Sequence, residues 1–451
     1  MKIGKNKILL ILVFIFFLIT RLFMISDIPG SVYWDEASIG YNAYSIGTDL
    51  KDEWGQTLPL HFRAFGEFKL PVYIYSVVPF VKILGLNAFA VRLPAVLYSL
   101  GSIFLVYLLV KKITNKDLLG VLSAFLLSIS PWLFIFSRTG YEATAGLFFI
   151  LAGTYLVLLS EKKNFYYLLG TFSFILSFYS YNSFRIIGPV LLAFLTLHKF
   201  NKKRIPIIVL SFVIFVISLI PVYRLYKFDN GASRFTQVGV SNASQVVKNY
   251  FANFSPRFLF INGDTNPRSQ VPDHGELFYL DMVFTVLGLI YIIKGKKLIN
   301  YLPVLMLVLS PIPAALTKES PHALRAILAA PSFAMISAFG IFFFIEKFKK
   351  YSKYVLSLIV AGYLVLFGFY YSDFIKNYNN ETRKAWQYQY KEIFLNKTAG
   401  VVTDEYAQPY IFALFYQKYS PENFRSEVKY NPPDKWGFSL VSSFNGFEFR
   451  K

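Results

Sequence analysis

The chain has no cysteine among its 451 residues, and it has few charged residues. The absence of cysteine excludes disulfide bridges, thiol nucleophiles and cysteine-ligated metal centres. Charged residues make up 16% of the sequence, whereas ordinary soluble domains contain about 25%. Hydrophobic residues make up 55%. This balance indicates a membrane protein rather than a soluble globular one.

Long apolar segments recur along the chain. A hydrocarbon core about 30 Å thick is crossed by roughly 20 apolar helical residues. Lipid also requires the spanning backbone to satisfy its own hydrogen bonds, which favours helices. The sequence therefore predicts an all-α polytopic membrane bundle of about eleven transmembrane helices, at 8–25, 90–110, 118–136, 141–159, 165–180, 184–198, 205–222, 277–293, 298–316, 324–345 and 354–371.

Basic residues cluster in every second gap between these predicted spans, at 2–7, 111–116, 162–163, 199–204, 294–297 and 347–353. Because positively charged loops stay in the cytoplasm, the N-terminus is predicted to be cytoplasmic and the protein to be multi-pass in the plasma membrane. The formal net charge of +20 is then a consequence of topology. Short clusters separated by spans argue against a nucleic-acid partner.

The opposite gaps predict the domain organisation. A transmembrane domain covers 1–371, with outside loops at 26–89 and 223–276, and an extracytoplasmic α/β domain covers 372–451. Within the first loop, 71–86 is apolar but contains Pro79 and Lys82, which favours a helix lying in the membrane interface. The inverted repeats of many transporters are not visible.

Asp35 and Glu36 lie in the first outside loop. Adjacent carboxylates on a helix or turn point in different directions, so one can face a cavity as a general base while the other is paired. An ordinary surface acidic pair is the alternative. Lys69 stands at the start of the interfacial segment, where a lipid phosphate would lie. Membrane anchoring by its long side chain is the alternative there.

Further outside cations stand at span ends. Arg138 and Glu142 are four residues apart, so they form either a helical ion pair or part of a site. His322 and Arg325 enter the tenth predicted span at i and i+3, and an arginine in a membrane segment is costly and often functional.

A metal site is conceivable in the loop 223–276, because carboxylates bind hard cations. Its candidate ligands are Asp264, Asp273, His274 and Glu276. Their spacing matches no ligand rule. We therefore predict no metal or other cofactor, and a divalent metal stays open as the alternative.

The order of these motifs resembles that of the GT-C glycosyltransferases. The nearest branch is the group of dolichyl-phosphate-mannose-protein mannosyltransferases and aminoarabinose transferases. The motifs that carry the resemblance are Asp35-Glu36, Tyr41, Ala43, Lys69-x-Pro71, Tyr73, Arg92-Leu93-Pro94, Gly263-Asp264-x-Asn266-x-Arg268, His322-x-x-Arg325 and Gln408-Pro409-Tyr410. The aminoarabinose transferases usually show Lys-Pro-Pro at the third motif, so subfamily and substrate stay open.

The resemblance implies a GT-C fold and an inverting glycosyltransferase that uses a polyprenyl-phosphate-linked sugar. The acceptor would be an extracytoplasmic protein, lipid or cell-envelope glycan. Asp35 would be the base and Glu36 its support. The donor phosphate would be bound by Lys69, Arg138, His322 and Arg325, and the substrate by Tyr41, Tyr73, Glu142, Asp264 and Arg268.

A lipid-linked saccharide transporter or flippase is the alternative function. Such a protein is expected to carry ionisable residues along the middle of several spans. Here most of them lie at span ends, which favours chemistry at the membrane surface.

Overall fold

A computed structural model describes residues 4–295, 297–405, 408–435 and 437–450, with Arg234 described by its backbone alone. Lys2 and Lys296, which belong to the predicted cytoplasmic clusters, lie outside the described residues. The fold is mostly helical, at 68%. The helices are α1 (Lys5–Leu22), α2 (Trp34–Asp49), α3 (Pro71–Leu84), α4 (Ala88–Thr114), α5 (Asp117–Ile129), α6 (Pro131–Phe134), α7 (Ala143–Leu159), α8 (Phe165–Phe178), α9 (Asn182–His198), α10 (Ile205–Ser218), α11 (Ile220–Phe228), α12 (Ser233–Val238), α13 (Ala243–Ala252), α14 (Tyr279–Gly295), α15 (Leu302–Leu309), α16 (Ile312–Ala315), α17 (Ala329–Glu346), α18 (Ser352–Thr382), α19 (Tyr388–Asn396), α20 (Pro409–Tyr416) and α21 (Pro421–Glu427).

The remaining regular elements are short. The strands are β1 (Phe62–Arg63), β2 (Phe68–Lys69), β3 (Gly400–Thr403), β4 (Lys429–Tyr430), β5 (Val441–Phe444) and β6 (Phe447–Arg450). Single 3-10 turns cover Phe136–Arg138, Lys202–Arg204, Leu298–Tyr301 and Lys349–Tyr351, and a π-helical turn covers Arg257–Ile261.

Each predicted span coincides with one helix or with consecutive helices. In the described part of the chain, five helical stretches are long and apolar enough to cross a membrane, and a sixth is if the pair bent by 64° after Ile129 counts as one span. Shorter apolar helices add to these. The lengths and composition of the helices are therefore those of a multi-pass membrane protein. The number of eleven spans and the cytoplasmic N-terminus stay predictions.

Close helix packing in the bundle depends on two glycines. A Cβ atom on Gly288 of α14 would overlap the carbonyl oxygen of Ile336 in α17, and one on Gly340 of α17 would overlap that of Phe284 in α14. Small residues allow helix backbones to approach closely where lipid supplies no hydrophobic driving force between helices. The α14–α17 pair forms a central contact of the bundle.

The first outside loop folds into α2, a hairpin and α3. Strands β1 and β2 pair antiparallel, with Phe62 opposite Lys69. The predicted helix at 71–86 is confirmed as α3, which ends at Leu84. Its position in the membrane interface stays a prediction.

The C-terminal segment contains the expected small sheet. Its strand order is β3-β6-β5-β4, with β3 parallel to β6 and the other pairs antiparallel. Helix α18 continues past the predicted boundary at 371 and ends at Thr382. Helix α20 packs on α2, where Gly40 leaves room for the ring of Phe415. The C-terminal domain therefore rests on the helix that carries Asp35.

A buried carboxyl group lies at this junction. Glu53 is 1% exposed, and its Oε1 accepts hydrogen bonds from the Trp54 indole at 3.1 Å and the Tyr410 hydroxyl at 3.2 Å. Burial, together with the neighbouring Asp52 carboxylate, raises the pKa of Glu53 to about 8. The protonated form is therefore the one that the fold prefers.

Glu53 predicts a pH-dependent stability. Because its pKa is raised from 4.5 to about 8 on folding, its stabilising contribution is complete below the lower value and is lost as the pH rises through the upper one. We expect the unfolding temperature of the wild type in detergent to fall between about pH 4.5 and about pH 8, and Glu53→Gln to flatten this fall. Glu422→Gln, at an exposed residue of the C-terminal segment that packs against this loop, is the control. An equal pH dependence in the wild type and Glu53→Gln would contradict the assignment.

Candidate active site

Helix α2 separates the two adjacent carboxylates of the first loop. Asp35 and Glu36 both stand in its first turn, where negative charge is favoured by the helix dipole. Successive residues of a helix point roughly 100° apart. The side chain of Glu36 is fully buried, whereas that of Asp35 is 23% exposed. The two groups therefore have different surroundings.

Glu36 is held by a buried ion pair. The Nε and one terminal nitrogen of Arg92 donate to its two carboxylate oxygens, each at 2.9 Å, and the backbone N–H of Gly140 donates to Oε1 at 2.7 Å. The guanidinium also donates to three backbone carbonyls at 2.7–2.8 Å, those of Ile25, Pro29 and Ser31. Both oxygens of Glu36 are thus occupied, and the pair fixes the start of α2.

Asp35 faces Lys69, which is almost completely buried on the hairpin. The ammonium group pairs with Asp35 and lies 3.5 Å from Glu67 Oε1. Burial lowers the pKa of Lys69, but the carboxylates of Asp35, Glu67 and Glu142 raise it by more, so that it ends above its ordinary value. Lys69 is therefore a fixed cation beside a partly exposed carboxylate.

Arg138 lies in different surroundings. It belongs to a 3-10 turn before α7, so it does not share a helix with Glu142, and no ion pair between the two occurs among the described residues. Its guanidinium donates to backbone carbonyls at the end of α1 and beyond, those of Thr20 at 2.9 Å, Phe23 at 2.9 Å, Met24 at 3.3 Å and Ile28 at 3.1 Å. Arg138 therefore satisfies backbone carbonyls at and after the end of α1. Its role in phosphate binding stays a prediction.

A second polar cluster is built by Asp264. Its Oδ2 accepts from the backbone N–H of Ala323 at 2.7 Å, and its Oδ1 accepts from that of Asn266 at 2.9 Å. The carboxylate thereby joins the loop after α13 to the turns before α17. Helix α17 begins at Ala329 instead of the predicted residue 324, so His322 and Arg325 lie in the turns that precede the helix.

His322 and Arg325 lie together in these turns. Burial and the positive charges of Arg325 and Arg268 lower the pKa of His322 to about 3, so the imidazole is neutral at physiological pH. Its Nδ1 is 3.4 Å from Asp264 Oδ2 and has no hydrogen-bond partner among the described residues. Arg325 donates to Thr317 Oγ1 at 2.8 Å.

Arg268 connects the second cluster with Asp35. Its guanidinium lies over the rings of Tyr33 and Trp34, 5.1 and 5.8 Å from their centroids. Burial lowers the pKa of Arg268, but Tyr141, Tyr33 and Asp35 raise it above its ordinary value. Its Nε is buried and has no hydrogen-bond partner in the described part of the chain. A buried donor without a partner is expected where a ligand oxygen binds.

Charges of both clusters act on Tyr181. Burial raises the pKa of its hydroxyl above the ordinary value, the charge of Arg325 acts against this shift, and that of Glu142 adds to it. Glu142 thus acts electrostatically on both Lys69 and Tyr181, and Asp35 acts on both Lys69 and Arg268.

Two predicted substrate-binding tyrosines point elsewhere. The hydroxyl of Tyr41 donates to the carbonyl of Tyr419 at 3.2 Å, and that of Tyr73 donates to the carbonyl of Val91 at 3.0 Å. Both rings are buried in the core that α2 and α3 share with the C-terminal domain. The contacts of both side chains are structural, and their substrate role stays a prediction.

The conceivable metal ligands of the loop 223–276 separate into pairs. His274 contacts Asp373 at 2.8 Å, and Glu276 accepts from the backbone N–H of Asp264 at 3.0 Å. Within the residues that the structure describes, no three His, Asp or Glu side chains form a group that could hold a metal ion.

Three residues near the region were missed from the sequence. Glu67 stands two residues before Lys69, just ahead of β2, so its closeness in sequence was a usable signal. Tyr181 and Gln387, which accepts from the backbone N–H of Trp34, had no local signal.

Comparison with known proteins identifies the fold. Residues 69–223, less than half of the chain, match the family model described as dolichyl-phosphate-mannose-protein mannosyltransferase. No curated protein matches the chain. ArnT from Cupriavidus metallidurans in the apo state is similar in structure, with a TM-score of 0.63 at 9% identity over 90% of this chain and 84% of that one.

Two structures of the Archaeoglobus fulgidus oligosaccharyltransferase are also similar. The complex with Zn and sulfate has a TM-score of 0.59 at 13% identity, over 90% of this chain and 61% of that one. The complex of AglB with an inhibitory peptide and a dolichol-phosphate has a TM-score of 0.55 at 13% identity, over 91% and 63%. The chain thus spans less than two thirds of the archaeal enzyme.

These proteins are GT-C fold glycosyltransferases, so the resemblance inferred from the sequence is confirmed and the chain has the GT-C fold.

The Glu36–Arg92 pair predicts a large stability effect. Removing one partner of a buried ion pair leaves the other charge uncompensated and costs about 3–5 kcal/mol. We expect Glu36→Gln to lower the free energy of unfolding by about that amount in detergent. The matched control is Glu161→Gln, at an exposed ion pair with Lys112, which should cost less than about 1 kcal/mol. Equal effects of the two substitutions would contradict a structural role of the buried pair.

Proposed function

We propose that the chain is an inverting glycosyltransferase that moves a sugar from a polyprenyl-phosphate donor to an extracytoplasmic acceptor. The observation that carries this proposal is the partly exposed carboxylate of Asp35, paired with the buried Lys69 and within electrostatic reach of Arg268. A base and cations of this kind are what transfer from a phosphate leaving group requires. The dolichol-phosphate bound to AglB supports a lipid-phosphate donor.

The proposed reaction moves one bond and one proton. The acceptor hydroxyl attacks the anomeric carbon of the sugar from the face opposite the phosphate, and a new C–O bond forms with inversion. The bond between the anomeric carbon and the phosphate oxygen breaks, and its electron pair stays on that oxygen. Asp35 takes the hydroxyl proton, and polyprenyl phosphate leaves.

Lys69 links the two halves of this reaction. In the structure its ammonium group is shared between Asp35 and Glu67. A donor phosphate adds another anionic partner for Lys69, which reduces the hold of the ammonium group on Asp35. Charge that develops on the leaving oxygen is also stabilised more strongly at a buried cation than in water.

The phosphate would further be held by Arg268, His322 and Arg325. Arg268 offers a buried Nε–H that has no partner among the described residues, and the neutral His322 can donate one ring N–H. The cationic charge of Arg325 lies beside them. Asp264 orders the backbone at this position, so we assign it a supporting role in substrate binding.

Removing the base is the direct test of Asp35. We expect Asp35→Asn to lower sugar transfer by a factor of at least about 100, because general base catalysis contributes 100- to 10,000-fold. Product formation from a polyprenyl-phosphate sugar is measured by mass spectrometry. Asp229→Asn, at an exposed residue of another outside loop, is the matched control. Transfer at the wild-type rate by Asp35→Asn would show that the base is another group.

Removing an anion contact tests the second cluster. We expect Arg268→Met to weaken the binding of polyprenyl phosphate about 10- to 100-fold, since a hydrogen bond to a charged group contributes about 1.5–3 kcal/mol. Affinity is measured by titrating polyprenyl phosphate into the purified protein. Arg257→Met, at an exposed arginine earlier in the same loop, should bind as the wild type does. Unchanged affinity of Arg268→Met would exclude Arg268 from the phosphate site.

A further inference from the structure

Helix α2 lacks an N-terminal cap of its own. Its N-cap residue is Tyr33, whose side chain makes no capping hydrogen bond. The first backbone N–H groups of a helix have no partner within the helix and need one from elsewhere. Here the N–H of Trp34 donates to the side-chain Oε1 of Gln387 at 3.0 Å. The cap comes from the C-terminal segment, far away in the sequence.

The turn around Gln387 also contacts the proposed phosphate site. The carbonyl of Ala385 accepts from a terminal nitrogen of Arg268 at 3.1 Å. The ring of Trp386 packs edge-on against Tyr33, with 5.3 Å between the centroids. One turn of the C-terminal segment therefore holds both the helix start that carries Asp35 and the guanidinium of Arg268.

The backbone of Gln387 is held in an uncommon conformation. Its φ of 51° and ψ of 44° lie in the left-handed region, which residues other than glycine rarely adopt. Such a conformation persists only where the surroundings fix it. The surroundings here include the fully buried Trp386 and the hydrogen bond from the N–H of Gln387 to the carbonyl of Lys384 at 3.1 Å. The Oε1 atom is thereby directed at α2.

We propose that Gln387 is a positioning residue for sugar transfer, acting as the missing N-terminal cap of α2 and thereby setting the direction of Asp35 relative to Arg268. This inference rests on the proposed function of Asp35. In that proposed reaction, Gln387 contacts neither the reacting atoms nor the phosphate. Its loss should therefore change the rate of the chemical step more than the binding of the donor.

The test is Gln387→Met, which keeps the length of the side chain and removes the capping oxygen. We expect kcat for sugar transfer to fall about tenfold, because the uncapped helix start holds Asp35 in place less often, by about one tenfold step in an equilibrium. KM for the donor should stay close to the wild type, and the unfolding temperature should fall by no more than about 2–4 °C. Gln387→Glu keeps an acceptor oxygen and should recover kcat.

The chain offers a matched control. Gln408 has nearly the same backbone angles, with φ 49° and ψ 51°, and likewise stands one residue before a helix without making a capping hydrogen bond. Gln408→Met should transfer sugar as the wild type does. Equal kcat values for Gln387→Met and the wild type would overturn the proposal, as would an equal loss in Gln408→Met.

A second measurement separates this proposal from the proposed function. Hydrogen exchange of the Trp34 amide should be faster in Gln387→Met than in the wild type and unchanged in Gln408→Met, whether or not the protein transfers sugar. A wild-type protein that forms no product refutes the transferase. Exchange that is equal in Gln387→Met and the wild type refutes the cap.

Discussion

The ion pair between Glu36 and Arg92 is the contact on which the candidate site depends. Both side chains are fully buried, where an unpaired charge would be strongly destabilising. The pair joins α2 to α4, to the chain that follows α1, and through Gly140 to the turn before α7. Because Glu36 is fixed in this way, its neighbour Asp35 is turned toward Lys69 and the open side. Glu36 therefore has a structural role, and Asp35 is the base in the proposed reaction.

The cations also divide into those with a structural role and those assigned to the proposed reaction. The guanidinium groups of Arg92 and Arg138 donate hydrogen bonds to carboxylate or carbonyl oxygens within the protein. Arg268 has a buried N–H without a partner among the described residues, and Lys69 is shared among carboxylates. The first two cations satisfy oxygens inside the fold. In the proposed reaction, Lys69 and Arg268 are the cations that bind the anionic ligand, because their groups are not needed to hold helix ends.

Sequence patterns predicted the helices well because hydropathy over about 20 residues is a local property. The helix at 71–86 and the small C-terminal sheet were recognised for the same reason. The partners of individual side chains were less accessible. The Asp35–Lys69 pair depends on how the hairpin folds back on α2. The hydrogen bonds that Arg138 donates to backbone carbonyls depend on where α1 ends. The hydroxyls of Tyr41 and Tyr73 bind carbonyls of elements that are remote in sequence. The cap from Gln387 requires the whole chain to be folded.

Product analysis of the purified protein tests the central claim most directly. The protein is offered a polyprenyl-phosphate sugar together with membrane fractions, and products are identified by mass spectrometry. The account predicts a covalent product that has gained one sugar with inverted anomeric configuration, and free polyprenyl phosphate in equal amount. Movement of the labelled lipid-linked sugar across a vesicle membrane without any covalent product would contradict the account and favour a transporter.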